Sequence, residues 1–251
     1  MRAAGVVVAG APAKLTRSLR MVGLRADGYH LLEAEMITLD LADELAITTG
    51  GSGCAVEGPF AAGVSTDASN LVVRALEAVG RQAAVRITKR IPPGGGLGGG
   101  SADAAAILRW AEVTDPAIAA SLGADVPYCV VGGRARVRGV GEVVEPLPHE
   151  DVTVTLVVPP LAVSTPAVYR AWDELGGPHA DGPNDLQAAA LVVEPRLQRW
   201  RDRIGDLAGE EPTLAGSGST WFVAGERDDA LAALSSEGAV VIVARAVDRP
   251  G

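Results

Sequence analysis

The stretch Ile91-Pro-Pro-Gly-Gly-Gly-Leu-Gly-Gly-Gly-Ser-Ala-Asp-Ala-Ala-Ala106 contains six glycines between two different sequence patterns. The alternating apolar run 84–91 before the glycines is typical of a strand, and the alanine-rich run 102–111 after them favours a helix. Glycine lets a ligand approach backbone N–H groups, and the start of a helix adds unpaired N–H groups and the positive end of its dipole. Ser101 stands where a helix N-cap or a phosphate-contacting hydroxyl is expected. The stretch therefore predicts a triphosphate-binding loop.

A flexible linker and a Walker motif both fit these glycines less well. A flexible linker carries polar filler and is not bounded by a strand pattern and a helix pattern. The Walker motif requires a lysine after its last glycine, whereas Gly100 is followed by Ser101 and Ala102. The loop thus lies between a strand and a helix, as a ligand-binding loop does, but it lacks the Walker lysine.

A dinucleotide fingerprint is formally present at Gly94, Gly96 and Gly99. That motif requires a second strand ending in an acidic residue about 20 positions later. Residues 115–122 have a helical pattern instead, which argues against a Rossmann-type site.

The composition narrows the classes of protein that this chain represents. Its 251 residues fit one large or two modest domains, and a hydrophobic content of 48% is ample for a packed core. No apolar run reaches the roughly 18 residues that a membrane span needs. The net charge, 22 − 31 = −9, argues against a nucleic-acid surface, which needs a basic stripe. Cys54 and Cys129 form neither a disulfide framework nor a metal pattern, so we expect a cytoplasmic protein.

The amino-terminal segment Met1–Gly10 is apolar and carries one basic residue. Because motif-like sequence follows it directly, we interpret it as a buried first strand rather than a signal peptide.

Lysine is scarce in this chain: only Lys14 and Lys89 occur, and the other 20 basic residues are arginines. A lysine that persists in such a composition indicates a position that requires a compact ammonium group. Lys14, just after the first strand pattern, is such a candidate. We expect Lys89 to lie on the surface, pointing away from the apolar side chains of its strand.

Strand and helix patterns alternate irregularly along the chain, which predicts an α+β fold. The polar, proline-bearing segment Pro146–Asp151 is the candidate domain boundary, and we place the division between residues 148 and 149. The predicted strands include Val6–Ala9, Leu15–Leu24, Glu33–Leu39, Glu44–Thr48, Val152–Val158, Thr213–Val223 and Ala239–Ala244. The predicted helices include Asn70–Val79, Thr165–Leu175, Glu194–Leu207 and Asp228–Leu234.

Three separated segments resemble one family. They are Pro12-Ala-Lys-Leu15 with Asp27-Gly-Tyr-His-Leu31, the glycine loop itself, and Leu122-Gly-Ala-Asp-Val-Pro127, supported by Ala215-Gly-Ser-Gly-Ser-Thr220. Together they resemble the GHMP small-molecule kinases, in an order and spacing that run from Ala11 to Phe222. The first and third segments are most similar to the branch that phosphorylates a cytidylyl-linked tetritol in the non-mevalonate isoprenoid pathway.

The resemblance implies a two-domain GHMP kinase fold of the α+β class. Residues 1–148 would form the ATP-binding domain, similar to ribosomal protein S5 domain 2, and residues 149–251 a ferredoxin-like domain. It implies ATP, Mg²⁺ and a small-molecule cytidylyl substrate phosphorylated on its 2-hydroxyl, with no nucleic-acid or membrane partner. A homodimer is one assembly that it allows.

The resemblance also assigns residues to the site. Lys14 and Asp125 fall on the family's catalytic pair, and Tyr29, His30 and Tyr169 fall where the cytosine is held. The ATP-binding loop then comprises Pro92, Pro93, Gly94, Gly95, Gly96, Leu97, Gly98, Gly99, Gly100, Ser101 and Ala102. The metal ligands stay unassigned.

The chemistry of the proposed pair is coherent by itself. A carboxylate near an acceptor hydroxyl can take or orient its proton, and a neighbouring ammonium can stabilise charge on the transferred group. Two residues depart from the family pattern: Thr16 replaces an asparagine, and Ala102 replaces a second serine.

Several alternatives stay open at this point. Asp125 could simply cap the turn before Pro127, His30 could be an ordinary turn residue, and Tyr169 could only pack its helix. A kinase of homoserine, mevalonate or a sugar, a mevalonate diphosphate decarboxylase, and a non-catalytic nucleotide-binding relative are the alternative functions.

Overall fold

The computed structural model describes residues 5–113 and 115–249. The strands are β1 Val6–Leu24, β2 His30–Thr49, β3 Cys54–Glu57, β4 Ala83–Thr88, β5 Ala135–Gly139, β6 Val143–Pro146, β7 Thr153–Val158, β8 Thr213–Leu214, β9 Trp221–Ala224 and β10 Val240–Val247. The helices are α1 Leu71–Ala78, α2 Gly99–Trp110, α3 Pro116–Leu122, α4 Val126–Val131, α5 Thr165–Glu174, α6 Gln187–Val193, α7 Arg196–Ala208 and α8 Asp228–Leu231, followed by a 3-10 helix at Ala232–Glu237. This mixed order confirms the predicted α+β class.

The ten strands are hydrogen-bonded into one sheet with β2 near its centre. Along the main path the order is β3-β4-β2-β10-β7-β9-β8, and β1, β5 and β6 extend from β2. Pairing is antiparallel except between β3 and β4 among the described strands. Through β2 and β10 the sheet connects the amino-terminal and carboxy-terminal parts of the chain.

The first two strands are longer than predicted. β1 and β2 span 19 and 20 residues, and each merges two strands that the sequence pattern separates. Their pairing shifts register at Pro12/Lys14, Thr16/Ser18 and Met21/Gly23. A β-bulge interrupts the alternation of apolar and polar side chains, so one bulged strand has the sequence pattern of two shorter ones.

The prediction of a buried first strand was wrong in one respect. β1 begins at Val6, but Val6, Val7 and Val8 are 61%, 45% and 63% exposed. This end of β1 pairs with Ala46–Thr48 of β2, and the main helices pack further along the strand. Residues 1–4 lie outside the described residues.

Helix α2 is the central helix of the amino-terminal part. Four of its alanines, at positions 102, 104, 105 and 106, are completely buried. Because alanine is small and has the best helix propensity, α2 packs closely against β1, α1 and α4 on several sides. The helix α2 is thereby held between the sheet and α4.

A small apolar cluster joins the two parts of the chain beneath the glycine loop. Leu97 from the loop is buried there with Leu15 of β1 and Ile37 of β2. Leu156 of β7 and Ala215 complete the contact from the carboxy-terminal part. Burial of each large apolar side chain contributes about 1.5–3 kcal/mol, so the loop is anchored by both parts.

The carboxy-terminal part differs from the sequence prediction in two places. The predicted strand 213–223 is two short strands, β8 and β9, which pair antiparallel around the turn 215–220. Helix α6 was not predicted. The glycines and serines of 215–220 form the turn because glycine adopts the left-handed backbone that Gly216 and Gly218 require.

Candidate active site

Two adjoining cavities meet at Gly96 of the glycine loop. The larger cavity, of about 520 Å³, lies between β1, α4 and α5. The smaller one, of about 270 Å³, follows the loop itself and is called the loop cavity below. The larger cavity is lined by the predicted residues Lys14, Tyr29, His30, Ser101, Asp125 and Tyr169. Folding therefore brings together side chains from both parts of the chain.

Lys14 lies against the glycine loop. Its backbone N–H donates to the carbonyl of Leu97 at 3.0 Å, and its side chain is almost buried. A Cβ atom at Gly98 would lie 2.8 Å from the Lys14 Cγ. The lysine stem therefore occupies the space that this glycine leaves free, and the ammonium group is held at the floor of the larger cavity.

The Lys14 ammonium has two polar neighbours. Its Nζ lies 3.4 Å from Oδ2 of Asp125 and donates to the Thr16 hydroxyl at 3.2 Å. Asp125 occupies the N-cap position of α4, yet its side chain makes no capping hydrogen bond. The alternative that Asp125 is merely a capping residue therefore lacks support. Its carboxylate, 37% exposed, faces the cavity beside Lys14.

The glycine loop has a backbone that other residues rarely adopt. Gly94, Gly96 and Gly98 have φ angles of +74°, +75° and +71°. α2 begins at Gly99 with Gly98 as its N-cap residue, so the helix starts three residues earlier than predicted. Ser101 is consequently the third residue of the helix, not its N-cap, and it lines the larger cavity.

The turn 215–220 holds the loop from the carboxy-terminal side. A Cβ atom at Gly96 would lie 2.9 Å from the Gly218 carbonyl oxygen and 3.0 Å from that of Ala215. The backbone N–H of Thr220 also donates to the carbonyl of Gly95 at 3.3 Å. The two glycine-rich motifs, distant in sequence, are therefore in direct contact.

Apart from Ser101, the predicted loop residues separate into two groups. Pro92 to Gly100 line the loop cavity. Ala102, in contrast, is completely buried in α2 and lines neither cavity.

The prediction that Lys89 lies on the surface was wrong. Lys89 is 3% exposed, because residues 85, 87 and 89 differ by two positions and share the inner face of the strand. Its Nζ bonds to Asp43 and lies 2.7 Å from Oδ2 of Asp103. Lys89 and Asp103 also line the loop cavity. The second of the two lysines thus belongs to a buried charged cluster beneath the loop.

The two carboxylates of this cluster, Asp43 and Asp103, differ in the hydrogen bonds that they accept. Asp43 accepts the backbone N–H groups of Arg90 at 2.5 Å and Ile91 at 2.9 Å. Asp103 has one buried oxygen, Oδ1, without a hydrogen-bond partner among the described residues. Burial raises the pKa of Asp103 to about 7, against the opposing effect of Lys89. The same carboxylates raise the pKa of Lys89 although its burial acts to lower it.

The far end of the larger cavity is aromatic. His30 is the first residue of β2, and its ring centroid lies 5.0 Å from that of Tyr169 on α5. Burial raises the pKa of Tyr169 to about 12. Tyr29 is 61% exposed, with the Arg25 guanidinium 5.2 Å from its ring centroid. The three predicted residues are therefore brought to one place.

Some cavity residues were not assigned to the site from the sequence. The hydroxyls of Thr165 and Ser217 lie 2.7 Å apart and line the larger cavity. Both stand in motifs noted in the sequence, at the start of α5 and in the turn 215–220. Ser65 and Asn70 line the loop cavity. Ser65 was missed because its segment, rich in glycine and serine, has no periodic pattern, and Asn70 was interpreted only as the start of a predicted helix.

Within residues 5–113 and 115–249, no three metal-ligating side chains of histidine, cysteine, aspartate or glutamate form a group. The helices of the same residues include none with the length and apolar character needed to cross a bilayer.

Comparison with known proteins gives consistent matches. The family model for the GHMP kinases N terminal domain matches residues 70–133. The 4-diphosphocytidyl-2-C-methyl-D-erythritol kinase of Paracoccus denitrificans is 37% identical over 84% of each chain. That of Ruegeria pomeroyi is 36% identical over 86% of this chain and 88% of its own.

Solved structures extend the comparison to the fold. A crystal structure of 4-(cytidine 5'-diphospho)-2C-methyl-D-erythritol kinase has a TM-score of 0.77 and 35% identity, covering 96% of this chain and all of that one. A homoserine kinase from Cytophaga hutchinsonii has a TM-score of 0.63 at 15% identity, covering 100% and 97%, which supports the fold alone. The predicted GHMP kinase fold is thus confirmed, and the chain belongs to the family of 4-diphosphocytidyl-2-C-methyl-D-erythritol kinases.

Proposed function

We propose that this protein uses ATP to phosphorylate the 2-hydroxyl of 4-diphosphocytidyl-2-C-methyl-D-erythritol, a step of the non-mevalonate isoprenoid pathway. The observation that carries the proposal is the Lys14–Asp125 pair, which lines one cavity between the glycine loop and the His30–Tyr169 end. The relatives that bear this kinase name are 35–37% identical over most of the chain, and they support the same substrate.

The glycine loop is proposed to hold the phosphates of ATP. Left-handed glycines let the peptide N–H groups point at an anion, and the 12-residue helix α2 begins directly behind them. Gly98 caps α2 without a side chain, so the first N–H groups of the helix stay accessible. The loop cavity beside the loop, with Ser65 and Asn70 in its wall, is the proposed place of the nucleotide.

Asp125 is proposed to act on the acceptor hydroxyl. As the acceptor oxygen forms its bond to the γ-phosphorus and ADP leaves, the hydroxyl proton passes to the Asp125 carboxylate. Phosphoryl transfer depends mostly on positioning and charge stabilisation. The Lys14 ammonium stabilises negative charge on the transferred group.

Tyr29, His30 and Tyr169 are proposed to hold the cytosine. The ring of His30 and the ring of Tyr169 line the same wall. A ring nitrogen supplies a hydrogen-bond donor or acceptor for a base edge, and an aromatic face stacks on a base.

Mg²⁺ fits the site as an ion carried mainly by phosphates. Mg²⁺ commonly binds through one or two carboxylates together with substrate phosphates, and Asp125 and Ser101 line the larger cavity. When bound, the ion would neutralise charge on the phosphates.

Three further expectations, on location, domain division and assembly, belong to the same proposal. The cytoplasm is the proposed location, which the two unpaired cysteines support. The proposed domain division at 148/149 falls in the segment between β6 and β7. A homodimer stays a prediction that sedimentation of the purified protein would check.

The direct test is release of ADP from ATP and Mg²⁺ with a panel of acceptors. The cytidylyl methylerythritol substrate is compared with homoserine, mevalonate and galactose. We expect turnover with the first alone. Turnover with another acceptor would retain the kinase but contradict the substrate, and ATP binding without turnover on any acceptor would favour the non-catalytic alternative.

A further inference from the structure

The imidazole of His30 is held by helix α5 as well as by its own strand. Its Nε2 lies 2.8 Å from Oδ1 of Asp173. The Trp172 ring meets it edge-on with centroids 5.7 Å apart, and Tyr169 packs on another side at 5.0 Å. The His30 side chain is only 13% exposed. These contacts leave the ring little freedom to turn over.

The contact with Asp173 decides which ring nitrogen carries the proton. An ionised carboxylate only accepts hydrogen bonds, so Nε2 must be the donor toward Asp173. In a neutral imidazole the other nitrogen then has a free lone pair and is an acceptor. His30 lines the larger cavity, and its Nδ1 makes no hydrogen bond to a residue within 5–113 and 115–249.

We propose that Asp173 is a positioning residue that makes this site select cytosine over uracil. The inference rests on the proposed placement of the base against His30. Cytosine carries an amino group at carbon 4, which donates to an accepting Nδ1. Uracil carries a carbonyl there, and two acceptors facing each other repel. The acidic residue on α5 thereby sets the specificity of a histidine on β2.

The expected discrimination is roughly tenfold to a hundredfold in affinity, the usual effect of one matched against one mismatched buried hydrogen bond. Asp173→Asn removes the charge while nearly preserving the shape. Its amide can donate to Nε2 as well as accept from it, so the ring is no longer restricted to one tautomer. Asp173→Glu keeps a carboxylate acceptor and is the conservative variant. Glu174→Gln, on the exposed neighbouring residue of α5, makes the same charge change without contacting His30.

The test compares the binding of CDP and UDP by calorimetry at pH 8, with a non-hydrolysable ATP analogue saturating the loop cavity. We expect the wild type and Glu174→Gln to prefer CDP at least about tenfold, and Asp173→Asn to lose about tenfold of that preference. Asp173→Glu should retain part of it. Affinity for the ATP analogue should stay the same in all four proteins, which also reports that each is folded.

Nitrogen-15 NMR of the His30 ring supplies a second readout that needs no ligand. The wild type should show a proton on Nε2, and Asp173→Asn should show a mixture or a proton on Nδ1. Equal weakening of CDP and UDP by Asp173→Asn would make Asp173 a merely structural link and overturn the inference. A wild-type ring protonated on Nδ1 alone would overturn it as well.

These outcomes are separate from the fate of the proposed reaction. If the protein turns over the cytidylyl substrate but Asp173→Asn leaves the CDP preference intact, the inference falls and the proposed function stands. If no ADP is released but the preference for CDP depends on Asp173, the proposed reaction is contradicted and the role of Asp173 is retained.

Discussion

The ammonium of Lys14 lies 3.4 Å from the carboxylate of Asp125, and the two groups differ sharply in exposure: 7% for the Lys14 side chain and 37% for that of Asp125. The lysine is enclosed by the glycine loop, whereas the carboxylate faces the larger cavity. This asymmetry is suited to a fixed positive group that orients an accessible base. A substrate hydroxyl can reach Asp125 while Lys14 stays in place.

Asp125→Asn should reduce turnover by at least about a hundredfold, because an amide cannot take a proton from the acceptor hydroxyl. The stability should change little, since the pair is partly exposed and such pairs contribute about 0–1 kcal/mol. The measurement is kcat for ADP release together with urea unfolding. Asp151→Asn, fully exposed at the surface, is the matched control. Near-normal turnover by Asp125→Asn would exclude Asp125 as the base.

Thr16→Val should lower kcat by about tenfold. The Thr16 hydroxyl accepts from Lys14 at 3.2 Å and is buried, and a hydrogen bond to a charged group is worth about 1.5–3 kcal/mol. Valine has nearly the same shape, so packing should survive. Thr48→Val on β2 lines neither cavity and serves as the control. An unchanged kcat would mean that Thr16 does not orient the lysine during turnover.

Gly96→Ala should abolish productive ATP binding. Its Cβ would lie 2.9 Å from the Gly218 carbonyl oxygen, so the loop or the turn 215–220 must move. Gly50 has a similar φ of +78° but open space around the added Cβ. Gly50→Ala therefore carries the backbone cost alone, about 1–2 kcal/mol, and should retain ATP affinity. The measurement is calorimetric ATP binding beside thermal unfolding, and equal ATP affinity in both variants would contradict the packing argument.

Lys89→Met should destabilise the protein by about 3–5 kcal/mol, because it leaves Asp43 and Asp103 buried without their cation. Urea unfolding measures the free energy of unfolding directly. Arg86→Met, at an exposed ion pair on β4, should have a small effect. Similar stabilities of the two variants would show that the buried cluster is not required for folding.

The pH dependence of the free energy of unfolding should reveal the raised pKa of Asp103. Its pKa rises from 3.8 to about 7 on folding, so the folded protein binds more protons than the unfolded chain between these values. Stability contributed by this group therefore falls as pH rises from about 4 to about 7 and is level above that.

Asp103→Asn should remove that slope, while its amide oxygen can still accept from Lys89. Urea unfolding at about pH 5, 6, 7 and 8 gives the comparison. Asp67→Asn is the control, because hydrogen bonds from Ser69 and Ser65 lower the pKa of Asp67 to about 2 and place its titration below this range. Parallel curves for wild type and Asp103→Asn would contradict the raised pKa.

Much of the fold and of the site follows from local sequence. The left-handed backbone of the loop requires glycine whatever surrounds it, and the alanine-rich run after it favours a helix by intrinsic propensity. These properties depend on neighbours along the chain, so the strand, loop and helix around Gly96 could be predicted. Lys14 was identified by the scarcity of lysine, and Asp125 by its resemblance to a motif.

Other features depend on residues that are distant in sequence. The burial of Lys89 was mispredicted, and its two carboxylate partners come from β2 and α2. The exposure of Val6–Val8 and the joining of two strand patterns into β1 depend on which elements pack alongside and where bulges occur. The contact of His30 with Asp173 exists only because β2 and α5 meet in the wall of the larger cavity. Sequence by itself determined the backbone conformation available to the glycine loop and singled out Lys14 and Asp125 as candidates. Only the tertiary structure decided which charges are buried together, because burial and pairing are properties of surfaces that folding creates.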